Sequence, residues 1–393
     1  MKILMVLESE FPPDVRVENE IAALSGAGHE VHLACSTRKN KPCKETIGKA
    51  FIHRKRISKF IYKSSVGSLK FPFYFNFWRR FIFPLVAAEK FDVIHIHDLP
   101  LAIIGAEIKT KYRIPMVLDL HENWPALLRN ATHTATPIGK LLYSDRQWTE
   151  YEKKFTLKAD LIITIIEEAG ERIINLGVDP ARICIVSNSV NPEGLSIMEK
   201  KRNDDSFVLF YGGGINRHRG LQVVLEAISL LKARNIKIIL EIVGSGSYLA
   251  DLRIITEKLA VGEQVRFHGH KPFDAMLDML SEADSAIIPH LRTDNNDASS
   301  PNKLYQYMYL GKPVISSDCL SLKRILNETN AGFIYRNDSA VELADLLEKL
   351  INDRHLLEEK GLNGRKAILG GLNWNTEKEK LIKAYTRLAK DTK

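Results

Sequence analysis

Residues 207–231 read FVLFYGGGINRHRGLQVVLEAISLL. Phe207–Tyr211 is a short apolar run of strand length, three glycines close it, and a helix follows over Gly220–Leu231. Working outward, the same order recurs to both ends of the chain. Downstream the expected strands are Ile236–Val243, Gln264–His268, Ser285–Pro289 and Pro313–Ser316, each with a helix-like segment behind it. Upstream they are Lys2–Leu7, Glu30–Cys35, Asp92–His97, Pro115–His121, Asp160–Ile165 and Ile183–Val186. The first helix carries Val17, Ile21 and Leu24 at i, i+4 and i+7 and stops at Gly26 and Gly28. Strands alternating with helices call for parallel sheets covered by helices on both faces, so the fold class is α/β.

The polar, turn-rich stretch 191–206, NPEGLSIMEKKRNDDS, separates the two series and is read as a linker. Two Rossmann-like domains in tandem follow, 1–190 and 207–372. The terminal NWNTEKEKLIKAYTRLAK has Asn373 or Asn375 as a cap and Leu381, Ile382, Tyr385 and Leu388 at helical spacing, so 373–393 is expected to be a closing helix. A length of 393 residues suits two domains with sizeable cores, and 45% hydrophobic with 26% charged residues excludes disorder and fibrous repeats. Cys35, Cys43, Cys184 and Cys319 are scattered without zinc-site or disulfide spacing, which suits a reducing, cytoplasmic setting. Glu8 and Glu10 interrupt the apolar start that a signal peptide needs, and no window reaches the ~18 apolar residues of a spanning helix.

The formal charge is +8, and residues 51–80 carry all of it: Arg54, Lys55, Arg56, Lys59, Lys63, Lys70, Arg79 and Arg80, with no acid. Nine aromatics share that window, among them Phe60, Tyr62, Phe71, Phe73 and Trp78. Mixed basic and aromatic residues suit an anionic membrane surface. The competing reading is that Phe71–Trp78 packs inside a domain while the cations form a solvated face. No nucleic-acid motif accompanies the charge, so nucleic acid is not an expected partner.

Ligands of open α/β sheets bind at the carboxyl ends of strands. In YGGGINRHRG, Gly213 and Gly214 would let backbone N–H groups approach phosphate oxygens, and Arg219 could fork onto a diphosphate. The stretch is neither G-x-G-x-x-G nor a P-loop, and alone it reads equally as a Gly-rich turn with solvated arginines. VGSGS, with Gly244, and FHGHKP, with His270, are weaker turns of the same kind. Ser300, Pro301, Asn302, Lys303 and Leu304 open a further helix, as ordinary helix-start residues also would. In the first half His97, Asp98, Asp119, His121 and Glu122 sit at strand ends. A metal site from His95, His97, His121 and Asp98 matches no spacing template, and no metal is expected.

These stretches, in the order FPPDVRVENEIAALSGAGHEVHLAC, FDVIHIHD, VSNSVNPEG, YGGGINRHRGLQVVLEAISLL, IVGSGSYLADL, VRFHGHKP, SSPNKLYQYMYLGKPVI and the NW-led helix, resemble the family 4 retaining glycosyltransferases of GT-B fold over nearly the whole chain. The resemblance implies an N-terminal acceptor domain, a C-terminal nucleotide-sugar domain facing it across a cleft, and a last helix crossing back. By position it makes Arg219 and Lys303, with the Ser300–Asn302 backbone, the diphosphate site, and His270 with Lys271 the nucleobase side. His121 becomes the acceptor-domain histidine and is grouped with Arg219 and Lys303 as catalytic; Gly213, Gly214, Gly244, Pro301, Leu304 and Gln306 line the donor. Asp14, Arg16, His97 and Glu122 fall on the acceptor side. The family's paired glutamates fall on Ala298 and Gln306, and its arginine after the glycine loop on Gly214.

The implied activity is retaining transfer of a sugar from a UDP- or GDP-linked donor, with no cofactor, to a glycan or lipid-linked acceptor. It belongs to cell-surface polysaccharide synthesis, in the cytoplasm and at the inner membrane face. A nucleotide-sugar epimerase or hydrolase on the same fold, and a catalytically silent membrane-associated binding protein, are the alternatives.

Overall fold

A computed structural model describes residues 1–129, 131, 134, 136–193 and 206–391. Contacts divide the chain into Met1–Ser187 with Glu377–Lys393, and Asn188–Thr376. Of the expected linker, residues 194–205 lie outside the described residues.

In the first unit β1 (Lys2–Leu7), β2 (Glu30–Thr37), β3 (Lys44–Ile47), β4 (Ala50–Arg56), β5 (Val93–His97), β6 (Met116–Leu120), β7 (Leu161–Thr164) and β8 (Ile183–Ile185) form one sheet. Its order is β3-β4-β2-β1-β5-β6-β7-β8, parallel except for the β3–β4 pair. Strands β2 to β4 lie on one side of β1 and β5 to β8 on the other, so the sheet reverses there. Val6 is level with Ala34 on one side and Ile96 on the other, and His97 is level with Asp119. The residues just past β1, β5 and β6 therefore share one edge.

Helices cover both faces because these strands are buried on both. Helix Val15–Gly26 starts where Asp14 accepts a hydrogen bond from the Val17 N–H at 3.2 Å, satisfying one of the free donors of a first turn. Helix Phe73–Glu89 turns Tyr74, Phe75, Trp78, Ile82 and Val86 inward. The basic window is thus split between the two readings: those aromatics are core, while Phe60, Tyr62, Phe71 and Phe73 are exposed. Arg54 is buried too, its guanidinium bonding the carbonyls of Phe11 and Pro42 and the Glu45 carboxylate. The closing helix, Trp374–Asp391, buries Leu381, Tyr385 and Leu388, and its Glu377 carboxylate accepts the Ser187 N–H at 2.8 Å.

The second unit holds β9 (Phe207–Gly212), β10 (Ile238–Val243), β11 (Val265–Gly269), β12 (Ser285–Ile288), β13 (Val314–Ser317) and β14 (Gly332–Tyr335) in the all-parallel order β11-β10-β9-β12-β13-β14. Here the order reverses at β9, whose end is the Gly212–Gly214 loop.

Trp78 is fully buried among the first-unit core residues. Trp78→Ala should therefore cost about 3–5 kcal/mol in denaturant unfolding, the usual range for losing a core tryptophan. A change under ~1 kcal/mol would show that the window is not core at this point.

Candidate functional site

At the end of β9 the backbone is pinned by aromatic hydroxyls. Tyr211 Oη donates to the Gly214 carbonyl at 2.6 Å, and Tyr307 Oη accepts the Gly212 N–H at 2.9 Å. Gly213 has φ +137° and its N–H bonds the Val243 carbonyl at 2.9 Å. Gly244 has φ +147°, and a Cβ there would lie 1.8 Å from the Gly213 carbonyl oxygen. The loops after β9 and β10 thus meet backbone to backbone, which only glycine permits.

Lys303 stands in the first turn of helix Asn302–Tyr309, whose N-cap, Pro301, supplies no side-chain hydrogen bond. A first turn without a side-chain cap leaves its amide donors for another acceptor. The Lys303 ammonium lies 4.0 Å from the Tyr211 ring centroid and 2.6 Å from where a Gly213 Cβ would be. It is buried and has no hydrogen-bond partner. Burial first and the nearby Arg219 charge second hold it well below the ordinary lysine range. Arg219 Nη1 reaches the His290 ring nitrogen Nε2 at 3.0 Å. Burial, then Arg219 and Lys303, hold His290 well below the usual histidine range, so its neutral ring accepts from the guanidinium. Ser317 Oγ fixes the histidine from behind by donating to its carbonyl at 2.6 Å.

Arg219, Lys303, Gly213 and Gly244 are therefore brought together. Gln306 is half-buried one turn further along the same helix, Asn302 is exposed and Pro301 half-buried. His270 is exposed on the loop after β11. Two expected donor residues act differently. The Leu304 side chain is fully buried in the core, and the Ser300 hydroxyl is spent on Tyr305 Oη at 2.7 Å, which leaves the expected role of Ser300 to its backbone. His290, Tyr211 and Tyr307 were missed; the signal for His290 was a histidine two residues past a strand, in IIPH.

The first unit gathers charge at its own carboxyl edge. Asp119 accepts from Arg16 Nη2 at 2.7 Å and Nε at 3.1 Å, and from His121 Nε2 at 2.7 Å, with His97 Nδ1 at 3.2 Å. Against the upward push of burial, Arg16 and then His121 hold Asp119 well below the usual carboxylate range. Glu20 lies 3.1 Å from Arg16 Nε and is pushed up to about 8 by burial and by Asp119. Burial lowers His121, but Asp98 and Asp119 overcome it and raise the ring to about 10. His121 Nδ1 is 3.5 Å from Asp98, so both ring nitrogens face carboxylates.

Two acceptor-side expectations are corrected by burial. His97 is fully buried and stacked on His95 at 4.3 Å, because both faces of a central parallel strand are covered. Arg16 points into the network and to the Val186 carbonyl at 2.8 Å rather than toward a ligand. Asp14 is occupied as a helix cap, while Glu122 is exposed. Potential ligand atoms of Glu20, His95, His97 and Asp119 lie within 4.8 Å of one another, and the Arg16 guanidinium already supplies the cation against both carboxylates.

Two largely parallel sheets, each reversing at its centre, are the architecture of the GT-B fold. Residues 14–193 match the family described as Glycosyltransferase Family 4, and residues 196–367 match Glycosyl transferases group 1. The chain belongs to the family 4 glycosyltransferases of GT-B fold. An uncharacterised glycosyltransferase of Methanocaldococcus jannaschii is 23% identical over 320 residues, covering 77% of this chain and 76% of that one. Glycogen synthase of Mycobacterium tuberculosis is 22% identical over 287 residues, covering 72% and 66%. Among solved structures, Anabaena HepE in complex with UDP superposes with a TM-score of 0.70 at 16% identity, covering 98% of this chain and 100% of that one.

The Asp119 network makes a stability prediction. Asp119→Asn leaves Arg16 and His121 short of a counter-charge and should cost about 3–5 kcal/mol in denaturant unfolding. His121, raised to about 10, contributes stability that is fully present below about pH 6.5 and lost as pH rises through 10. Glu20 holds its proton up to about 8 in the folded state, so it too loses stability as pH rises toward that value. Wild type should weaken between about pH 6.5 and 10, and His121→Gln should flatten that slope; equal slopes would remove His121 from the network.

Proposed function

We propose that this glycosyltransferase moves a sugar, with retention, from a UDP- or GDP-linked donor to a glycan or lipid-linked acceptor in cell-surface polysaccharide synthesis. The carrying observation is Lys303: a buried ammonium without a hydrogen-bond partner, beside Arg219 and against the Gly213 loop. Burying a cation without a counter-ion is unfavourable, and a diphosphate supplies that counter-ion with charge-assisted hydrogen bonds. The uncapped first turn of helix Asn302–Tyr309 and the Gly214 N–H add donors, the Gly213 N–H being taken by the Val243 carbonyl. Gln306, one turn along, would take the ribose, and His270 would sit at the base.

In the reaction the bond from the anomeric carbon to the diphosphate oxygen breaks while the acceptor oxygen bonds to the same face of that carbon. The departing oxygen gains negative charge, which Arg219 and Lys303 stabilise more strongly than they stabilise the ground state. That oxygen can also accept the acceptor's proton, so no separate base is required. His121, the expected catalytic histidine, has both ring nitrogens on Asp98 and Asp119 and is held as an imidazolium inside the first unit's own charge network. HepE crystallises with UDP, and glycogen synthase is a relative, which supports a nucleotide-sugar donor and a glycan product. Ala298 and Gln306 leave both carboxylate positions of the family pattern neutral, which favours binding without turnover as the second reading.

Assaying nucleoside diphosphate release with and without acceptor separates the readings: acceptor-dependent release supports transfer, acceptor-independent release a hydrolase or epimerase, and none a binding protein. Arg219→Ala should weaken UDP or GDP binding at least tenfold, since a charged hydrogen bond to phosphate is worth about 1.5–3 kcal/mol. Binding should also raise the depressed Lys303 pKa, so calorimetry over a pH series below 10.5 should show proton uptake as a buffer-dependent enthalpy. An enthalpy independent of buffer would take Lys303 out of the phosphate site. Gln306→Ala should cost about 1 kcal/mol of nucleotide affinity while Gln306→Glu keeps or improves it; unchanged affinity in Gln306→Ala makes that residue a bystander.

A further inference from the structure

The exposed part of the basic window forms one surface. Phe60, on helix Lys59–Lys63, lies 5.8 Å from Phe73 between ring centroids, and Phe73 lies 6.2 Å from Phe71. The three rings are 65%, 47% and 48% exposed, values that core aromatics such as Trp78 never approach. Helix Pro137–Leu142 adjoins them: Lys70 Nζ donates to the Leu141 carbonyl at 2.6 Å, and the Leu141 side chain is 72% exposed. Beside Phe71 opens a groove of about 460 Å³ with Phe75, Tyr151 and Phe155 in its wall, so the apolar surface continues inward.

The charge around these side chains is mostly positive, and the one acid in the groove wall, Glu150, is paired with Arg146 at 2.8 Å. Lys59, Lys63, Lys70 and Lys140 are all exposed, and among the described residues none of them makes an ion pair. The Arg38 guanidinium stacks over Tyr62 at 4.2 Å and adds a fifth positive group. Residues 51–80 contain no acid. No helix among the described residues is long and apolar enough to cross a membrane, so any attachment through this face is to a surface.

We infer that the face formed by Phe60, Phe71, Phe73 and Leu141 with Lys59, Lys63, Lys70 and Lys140 docks on one leaflet of an anionic phospholipid bilayer. The headgroup–acyl boundary accommodates both parts: the rings and Leu141 enter the acyl edge while lipid phosphates receive the ammonium groups. An acidic protein or nucleic acid would answer the charge and leave four large apolar side chains in water. The inference does not depend on the donor reading, since docking needs no nucleotide.

Flotation with vesicles tests it at low salt, using phosphatidylcholine alone or mixed with phosphatidylglycerol. Wild type should float with the mixed vesicles and stay behind with phosphatidylcholine. A variant with Lys59→Gln, Lys63→Gln, Lys70→Gln and Lys140→Gln, and a second with Phe60→Ser, Phe73→Ser and Leu141→Ser, should each partition at least tenfold less. A control with Lys237→Gln, Lys258→Gln, Lys323→Gln and Lys349→Gln, equally charged but altered in the second unit, should float like wild type. Equal unfolding midpoints verify the folds; should the apolar variant not fold, the lysine variant and its control decide. Absence of flotation by wild type, equal loss in the control, or retention on nucleic acid without flotation overturns the proposal.

Discussion

A parallel sheet whose strand order reverses leaves an opening above the carboxyl ends of the strands flanking the reversal, because the helical crossovers on the two sides run away from each other. Both units of this chain are subject to that constraint, at β1 in one and at β9 in the other. The charge clusters around Asp119 and Lys303 lie along those two edges. The rest of each sheet fixes the level at which the edge residues stand.

The two edges solve the problem of buried charge in opposite ways. In the first unit Arg16, Asp119, His121 and Asp98 neutralise one another, and Glu20 keeps its proton up to about 8. Two cations set against two carboxylates leave such a network balanced in charge, which suits a wall that holds a site in shape. In the second unit Arg219 leans on a neutral histidine and Lys303 on an aromatic face, neither of which is an anion. The positive charge there is left for a ligand, and this contrast, more than any single residue, distinguishes a wall from a binding edge.

The alternation of strands and helices was legible because apolar runs such as Phe207–Tyr211 are continuous and their turns carry glycine. Strand β4 was not read: Ile52, His53 and Arg54 are all buried in succession, and a charged residue inside a buried strand defeats any hydropathy rule. Strand β14, four residues beginning with glycine, is too short to announce itself. At the site, Arg219 and Lys303 were visible because helix starts after Gly-rich or Ser-rich turns are local features. His290 was not, since its role comes from burial against a residue 71 positions away. His97 was placed on the acceptor side because a histidine at a strand end looks the same whether or not a helix covers it.

The last helix carries a different kind of consequence. Tyr385 places its hydroxyl 2.6 Å from His95 Nδ1, inside the sheet core of the first unit, and residues 377–393 belong to that unit. The unit is therefore assembled from two segments with the whole of the second unit between them. On a ribosome residues 1–187 emerge without the segment that completes them and must wait, with His95 lacking its tyrosine, while the second unit is synthesised. The second unit is contiguous and can fold first, so the order of synthesis and the order of completion are reversed, and a chain cut short by a few dozen codons spoils the half of the protein that was made earliest.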